Sequence, residues 1–216
     1  MSEILRNFSP EVAGWQFMWI LLIPAALTVA IAVERGIYIL VKSDINAAKF
    51  MSEIRKHVTA GEYKKALALC DRAKDRALPQ VVGSGLRIVA NREEVDFRTV
   101  QNSVDEGMLE VIPRLQKRTH YLAMLANIST LIGLMGTIYG LILSFRAVSA
   151  PGIDPTEKAR LLAAGISTAM NTTLTGLIIA VLGILCYTFL LSRTNQIIDE
   201  IDEHMVKLIN LLTGNR

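Results

Sequence analysis

Hydroxyl and amide side chains punctuate two long apolar stretches of this sequence: Ser129, Thr137 and Ser144 in the first, Thr168, Asn171, Thr172 and Thr173 in the second. A hydroxyl donates one proton and accepts through two lone pairs, so a row of them can pass a proton along or replace part of a cation's water shell. Inside a bilayer such groups usually face a bundle interior or a hydrated path. Neither stretch, Tyr121 to Phe145 or Leu161 to Ser192, holds an Asp, Glu, Lys or His. These residues therefore suit the wall of an ion path, and any carboxylate that carries a proton past them has to come from another chain.

Helical arithmetic sorts them further. At about 100° per residue, Ser129, Gly133, Gly136, Thr137, Gly140 and Ser144 fall within roughly 100° of one another. On the second stretch Gly165, Ala169, Thr172, Gly176, Ala180 and Gly183 form a similar face, with Thr173 on its border and Thr168, Asn171 and Thr175 beside it. Small residues let two helices approach closely, so Gly133, Gly136, Gly140, Gly165 and Gly176 read first as packing positions and second as pore wall. The threonines and Asn171 exceed what packing asks for; Thr137 and Thr173 are the strongest pathway candidates.

Enzymatic constellations are missing from the pattern. His57, His120 and His204 stand apart from one another and from Cys70 and Cys186, and no phosphate-cradling loop or nucleophile elbow occurs. No cofactor is called for. Asp154, Pro155 and Glu157 have the spacing of a helix start, which accounts for both acids ahead of any ion-gathering role.

The elements that must hold these residues are membrane helices. Half of the 216 residues are hydrophobic, 51%, and they are gathered into uncharged runs at 15–33, 121–145 and 161–192. Each run is close to or beyond the roughly 20 residues that cross a hydrocarbon core. Lys and Arg crowd the segment after the first run, including Lys42, Lys49, Arg114, Lys117 and Arg118, whereas Arg6 is alone before it. The positive-inside rule then puts the N-terminus outside and the C-terminus inside. The net charge of +3 reports this topology and not nucleic-acid binding.

The expected layout is an outer-face segment over 1–14, spans over 15–41, 121–148 and 161–192, a cytoplasmic helical domain over 42–120, a short periplasmic loop over 149–160, and a cytoplasmic amphipathic helix over 193–216. The first run reads as a retained span, because Glu3 and Glu11 flank it and it exceeds a signal-peptide core. Trp15 and Trp19 read as outer interfacial anchors, and Glu34 and Arg35 as an exposed pair or anchor at the inner end. Cys70 and Cys186 fall on different sides of the membrane boundary, so no disulfide joins them.

Within the helical domain, Ala47 to Val58 has amphipathic spacing, 59–61 breaks it, and Glu62 to Ala77 resumes it. Pro79 and Gly83-Ser84-Gly85 then punctuate a third piece. From about Glu93 one long helix is expected to enter the second span with a kink at Pro113. Ile198, Ile201, Met205, Leu208 and Leu212 repeat three and four apart, and the two overhanging helices are expected to pack together.

With these residues in view, the chain resembles the ExbB/TolQ/MotA family of proton-channel and stator proteins, and ExbB and TolQ more than the four-span MotA. The resemblance rests on Asn127 through Gly140 with Ser144-Phe145, and on Leu162 through Thr173 with Gly176-Leu177. It implies an all-α integral membrane protein with three transmembrane helices and long cytoplasmic helical extensions, assembled as a homopentameric ring in the bacterial inner membrane. It also implies a single-span ExbD/TolR-like partner that supplies the membrane aspartate, and a TonB/TolA-like or motility effector beyond it. Membrane lipid is the remaining partner. Thr137 and Thr173 match the family's pore threonines. Thr168 stands where many ExbB and TolQ proteins carry a glutamate, so a sodium path and a non-conducting scaffold stay open as alternatives.

Overall fold

The computed structural model describes residues 8–9, 15–91, 96–149, 151–152 and 154–212. Helices follow one another as α1 (Trp15–Ile37), a π-helical segment (Tyr38–Ser43), α2 (Ala47–Thr59), α3 (Tyr63–Arg72), α4 (Ala77–Asn91), α5 (Phe97–Gln116), α6 (His120–Val148) and α7 (Pro155–Leu212), and no strand occurs among the described residues. The stretches Trp15–Thr59, Phe97–Val148 and Pro155–Leu212 are each long and apolar enough to cross a membrane. The chain is an all-α, multi-pass membrane protein. Most of the expected segment over 1–14 lies outside the described residues; Phe8 is described, and its carbonyl accepts the indole N–H of Trp19 at 3.2 Å.

Two compact units make up the chain. The first comprises Met1–Val33 and Arg118–Thr188 and contains most of α1, all of α6 and the first part of α7. Its outward side chains are large and apolar, among them Ile23, Val29, Leu131, Met135, Leu182 and Leu185. In water that surface would be very costly; against lipid it is the natural exterior. Large side chains such as Met18, Leu21 and Leu122 are buried inside it, while small ones such as Gly133, Ala169 and Gly176 line the face where α6 and α7 meet.

The second unit comprises Glu34–Lys117 and Phe189–Arg216. Its core joins Phe50, Ile54 and Val58 of α2 with Ala66 and Cys70 of α3, Val81, Val82 and Leu86 of α4, Val100 and Val104 of α5, and Ile201, Met205 and Leu208 of α7. Asn46 starts α2 by accepting the Lys49 N–H on its side-chain oxygen at 3.0 Å. Gly61, at φ 73°, turns the chain into α3 in a conformation that glycine adopts without strain.

Several local expectations are corrected. Resumed helix ends at Arg72 instead of Ala77, and α4 begins there after a turn. Pro79 and the Gly83-Ser84-Gly85 cluster do not interrupt α4. Pro79 sits in the first turn, where its missing N–H costs nothing. The glycine serves contact with α5: a Cβ on Gly85 would come within 2.9 Å of Val104 Cγ2, and one on Gly107 within 2.5 Å of Ser84 Oγ.

The helix into the second span is not continuous with a kink at Pro113; it breaks after Gln116, and Arg118 takes φ 64°. The expected start near Glu93 lies outside the described residues. Arg35, expected at an exposed interface, is only 4% exposed, and its guanidinium donates to the carbonyl oxygens of Arg114, at 3.2 Å, and Leu115. It thereby caps α5 from another helix. Conversely, the third apolar run and the amphipathic segment after it are one element, α7, without a break between Pro155 and Leu212.

Candidate functional site

The two helices that carry the hydroxyl stripes meet along their glycines. An added Cβ on Gly176 would lie 2.6 Å from Ser129 O and 3.1 Å from Gly133 Cα, and one on Gly140 would lie 2.9 Å from Ala169 Cβ. Gly136 faces Thr172, with Thr172 Cβ 2.9 Å from its missing Cβ, and Gly165 faces the Ser144 hydroxyl. Each glycine of α6 thus opposes a small residue of α7, so this seam is a backbone-to-backbone packing surface within one chain.

This seam divides the hydroxyl set. Thr172 and Ser144 lie inside it, 1% and 6% exposed, and each bonds back to its own helix: Thr172 to Ala169 O at 2.7 Å, Ser144 to Gly140 O at 2.8 Å. Thr137 and Thr173 are half-buried along one edge. Thr173 Oγ1 lies 3.0 Å from Gly133 O and 3.2 Å from Thr137 Oγ1, while Thr137 donates to Leu134 O at 2.7 Å. Because Thr137 commits its own proton to Leu134, its oxygen accepts, and the single Thr173 proton is shared between that oxygen and the Gly133 carbonyl.

Thr168 and Asn171 lie elsewhere. At about 100° per residue they and Thr175 flank the buried face of α7 on the side opposite Thr173. Thr168 is half-buried and bonds to Ala164 O at 2.9 Å. On α6 the corresponding opposite side carries Tyr139, whose ring meets Phe17 of α1 at 5.5 Å, and Phe17 Cβ stands 3.2 Å from where a Cβ on Gly136 would be. The structure therefore brings Thr137 and Thr173 together on one flank and leaves Thr168 and Asn171 on the other. Phe17 was not among the sequence candidates; an aromatic in an apolar run carries no signal of which helix it will cover.

The acids at the start of α7 already have partners. Asp154 accepts the Thr156 N–H at 2.8 Å as the cap of α7, and Glu157 pairs with Arg160 at 2.7 Å, which holds its carboxyl below the usual range. Arg146 is exposed in the last turn of α6. Among the described residues no group of three metal-ligating side chains comes together. Chemically, the seam offers neutral, non-titrating oxygens and one half-open hydroxyl pair.

Residues 73–203, more than half of the sequence, match the model of the MotA/TolQ/ExbB proton channel family. The chain belongs to that family. Biopolymer transport protein ExbB of Aquifex aeolicus is 30% identical over 97 residues, which cover 45% of this chain and 62% of that protein. Biopolymer transport protein exbB1 of Vibrio cholerae is 29% identical over 164 residues, 76% of this chain and 69% of that one. Tol-Pal system protein TolQ of Haemophilus influenzae is 30% identical over 104 residues, 48% of this chain and 44% of its own length. The aligned region thus spans less than two thirds of the Aquifex and Haemophilus relatives. The family match takes in both hydroxyl-bearing helices, α4 and α5, and the start of the last amphipathic stretch.

Proposed function

We propose that this chain is the wall-forming subunit of an ion-driven motor in the inner membrane, with its N-terminus outside and its C-terminus in the cytoplasm. In this reading several copies, a homopentamer by family resemblance, surround a single-span ExbD/TolR-like partner whose aspartate carries the proton. The energy released moves a TonB/TolA-like or motility effector. The observation that carries the reading is the Thr137–Thr173 hydroxyl pair, half-open on one edge of an otherwise buried seam and without a carboxylate in the apolar runs 121–145 and 161–192 that hold it.

The physics follows from that arrangement. A carboxyl against apolar wall is held neutral by desolvation, whereas beside hydroxyls and water it ionises more readily. A partner acid that moves between the two environments releases or takes up its proton as it goes, and the proton gradient biases the direction. The Thr173 proton, shared between two acceptors, lets the pair accept from or donate to such an acid without acquiring charge itself. Thr168 and Asn171, on the other flank, are assigned to contacts between copies or with the partner and not to the same hydroxyl pair.

A structural reading has its own support, since Thr173 also closes the seam by donating to Gly133 O at 3.0 Å. The two are separated by reconstituting the affinity-purified complex, with its partner, in liposomes that report proton uptake. Replacement of Thr137 and Thr173 together by valine is expected to leave assembly intact and reduce uptake to background. Undiminished uptake by an assembled double variant sinks the channel reading, and assembly lost without any change in uptake per complex favours the structural one.

A further inference from the structure

We propose that residues 113–121 form a two-state backbone element, held broken by Arg35 and able to close into continuous helix when Arg35 withdraws. The argument is independent of what the ion path carries. In a continuous helix the carbonyls of residues 114 and 115 would accept the N–H groups of residues 118 and 119. Here the left-handed turn at Arg118, φ 64°, takes the chain off that path, and one nitrogen of Arg35, Nη2, reaches both oxygens instead. A nitrogen that touches two successive terminal carbonyls sits on the axial side of the last turn, where the next turn of backbone would run. Capped break and continuous helix therefore exclude each other.

Each state has something to hold it. The break carries a strained residue, because an arginine in the left-handed region pays a steric cost that glycine would not. Continuous helix would relieve it and gain intrahelical bonds. Against this stands a buried guanidinium, 4% exposed, which has left water and is compensated by the two carbonyls and by the face of Tyr38, 4.7 Å from its Cζ. Tyr38 opens the π-helical segment Tyr38–Ser43, a wider turn of a kind often found where a helix must place one side chain specially. Removing the guanidinium takes away the two carbonyl bonds that hold the break, so the balance tips toward helix.

The test is amide hydrogen exchange on the full-length protein in nanodiscs, followed at residues 118–120, because the N–H groups of Lys117 and Tyr121 are already bonded to Pro113 O and Arg118 O. Arg35→Met is expected to slow exchange there about tenfold or more, as N–H groups that begin α6 gain partners one turn back. Adding Arg118→Gly, which removes the cost of the left-handed turn, is expected to restore fast exchange. Arg35→Lys keeps the charge but lacks the planar fork, and is expected to fall between wild type and Arg35→Met. It also stands in for Arg35→Met if that variant does not fold. Exchange that is unchanged or faster in the folded Arg35 variants overturns the proposal, as does slowing that Arg118→Gly fails to reverse.

Discussion

Thr173 donates across the α6–α7 seam toward Thr137, oxygen to oxygen at 3.2 Å, and toward Gly133 O at 3.0 Å. Its hydroxyl is therefore a structural clasp that lies at the half-buried edge of the seam. Thr173→Val removes the clasp while nearly conserving shape, and is expected to cost about 0.6–1.7 kcal/mol, the range for hydrogen bonds between membrane helices. Thr173→Ser keeps the donor and is expected to cost less. Reversible unfolding in mixed micelles measures both; equal losses for valine and serine would assign the cost to the methyl group.

Glycines on the seam and off it are expected to behave oppositely. A Cβ on Gly176 would meet the Ser129 carbonyl at 2.6 Å, and backbone cannot step aside as a side chain can. Gly176→Ala is expected to destabilise the first unit by about 1–3 kcal/mol through overpacking. Gly36, with nothing within 4 Å of its missing Cβ, is expected to accept alanine without loss, with a gain of up to about 1 kcal/mol from helix propensity. Thermal melts of the two variants in the same detergent decide it.

Cys70 is buried in the second unit, and desolvation pushes its thiol up to about 12, with the neighbouring Asp71 adding to the rise. Thiolate, not thiol, reacts with maleimides. At pH 8 Cys70 is expected to label only after denaturant opens the helical unit, and mass spectrometry of the tryptic peptides locates the adduct. Prompt labelling of the native protein would place Cys70 in a looser core than its contacts with α4 indicate.

Glu62 lies between Lys65, at 2.6 Å, and His57, at 3.0 Å, and these hydrogen bonds, that to Lys65 first, hold its carboxyl below the usual carboxylate range. A carboxyl lowered in the folded state contributes stability that is present above its unfolded value, about 4.3, and is lost as pH falls through the lower folded value. Glu62→Gln is expected to flatten that part of the acid limb in a thermal-stability titration between pH 6 and 3. The effect is small, because the site is open to solvent. An unchanged acid limb would mean that the pairs are too well screened to matter.

Much of the architecture was legible from residue order. Apolar runs mark the spans because lipid admits few alternatives, and the 3.6-residue period places Gly133, Gly140, Gly165 and Gly176 on facing stripes. The amphipathic repeat around Ile201, Met205 and Leu208 likewise named the side that joins the core. What residue order could not supply was the position of a neighbour. Wheel angles already set Thr168 and Thr173 to either side of Thr172, but only the placement of α6 shows that Thr172 is interior and that the other two stand at its edges. Gly83 and Gly85 looked like punctuation because a glycine that breaks a helix and one that admits a neighbour are the same letter. The break at Arg118 is harder still, since its cap is Arg35, some eighty residues earlier in the chain.

α7 has a mechanical consequence. It runs unbroken from Pro155 to Leu212, 58 residues or about 87 Å at the α-helical rise. Its buried face also keeps one phase: at about 100° per residue, Thr172, Leu190, Ile201 and Leu208 fall within roughly 20° of a common line. With no proline past its first residue and no turn inside it, the helix has no joint at which torsion can be lost. One uninterrupted element therefore carries both the hydroxyl-bearing stretch around Thr173 and the core residues Ile201, Met205 and Leu208, so a break in it would separate them.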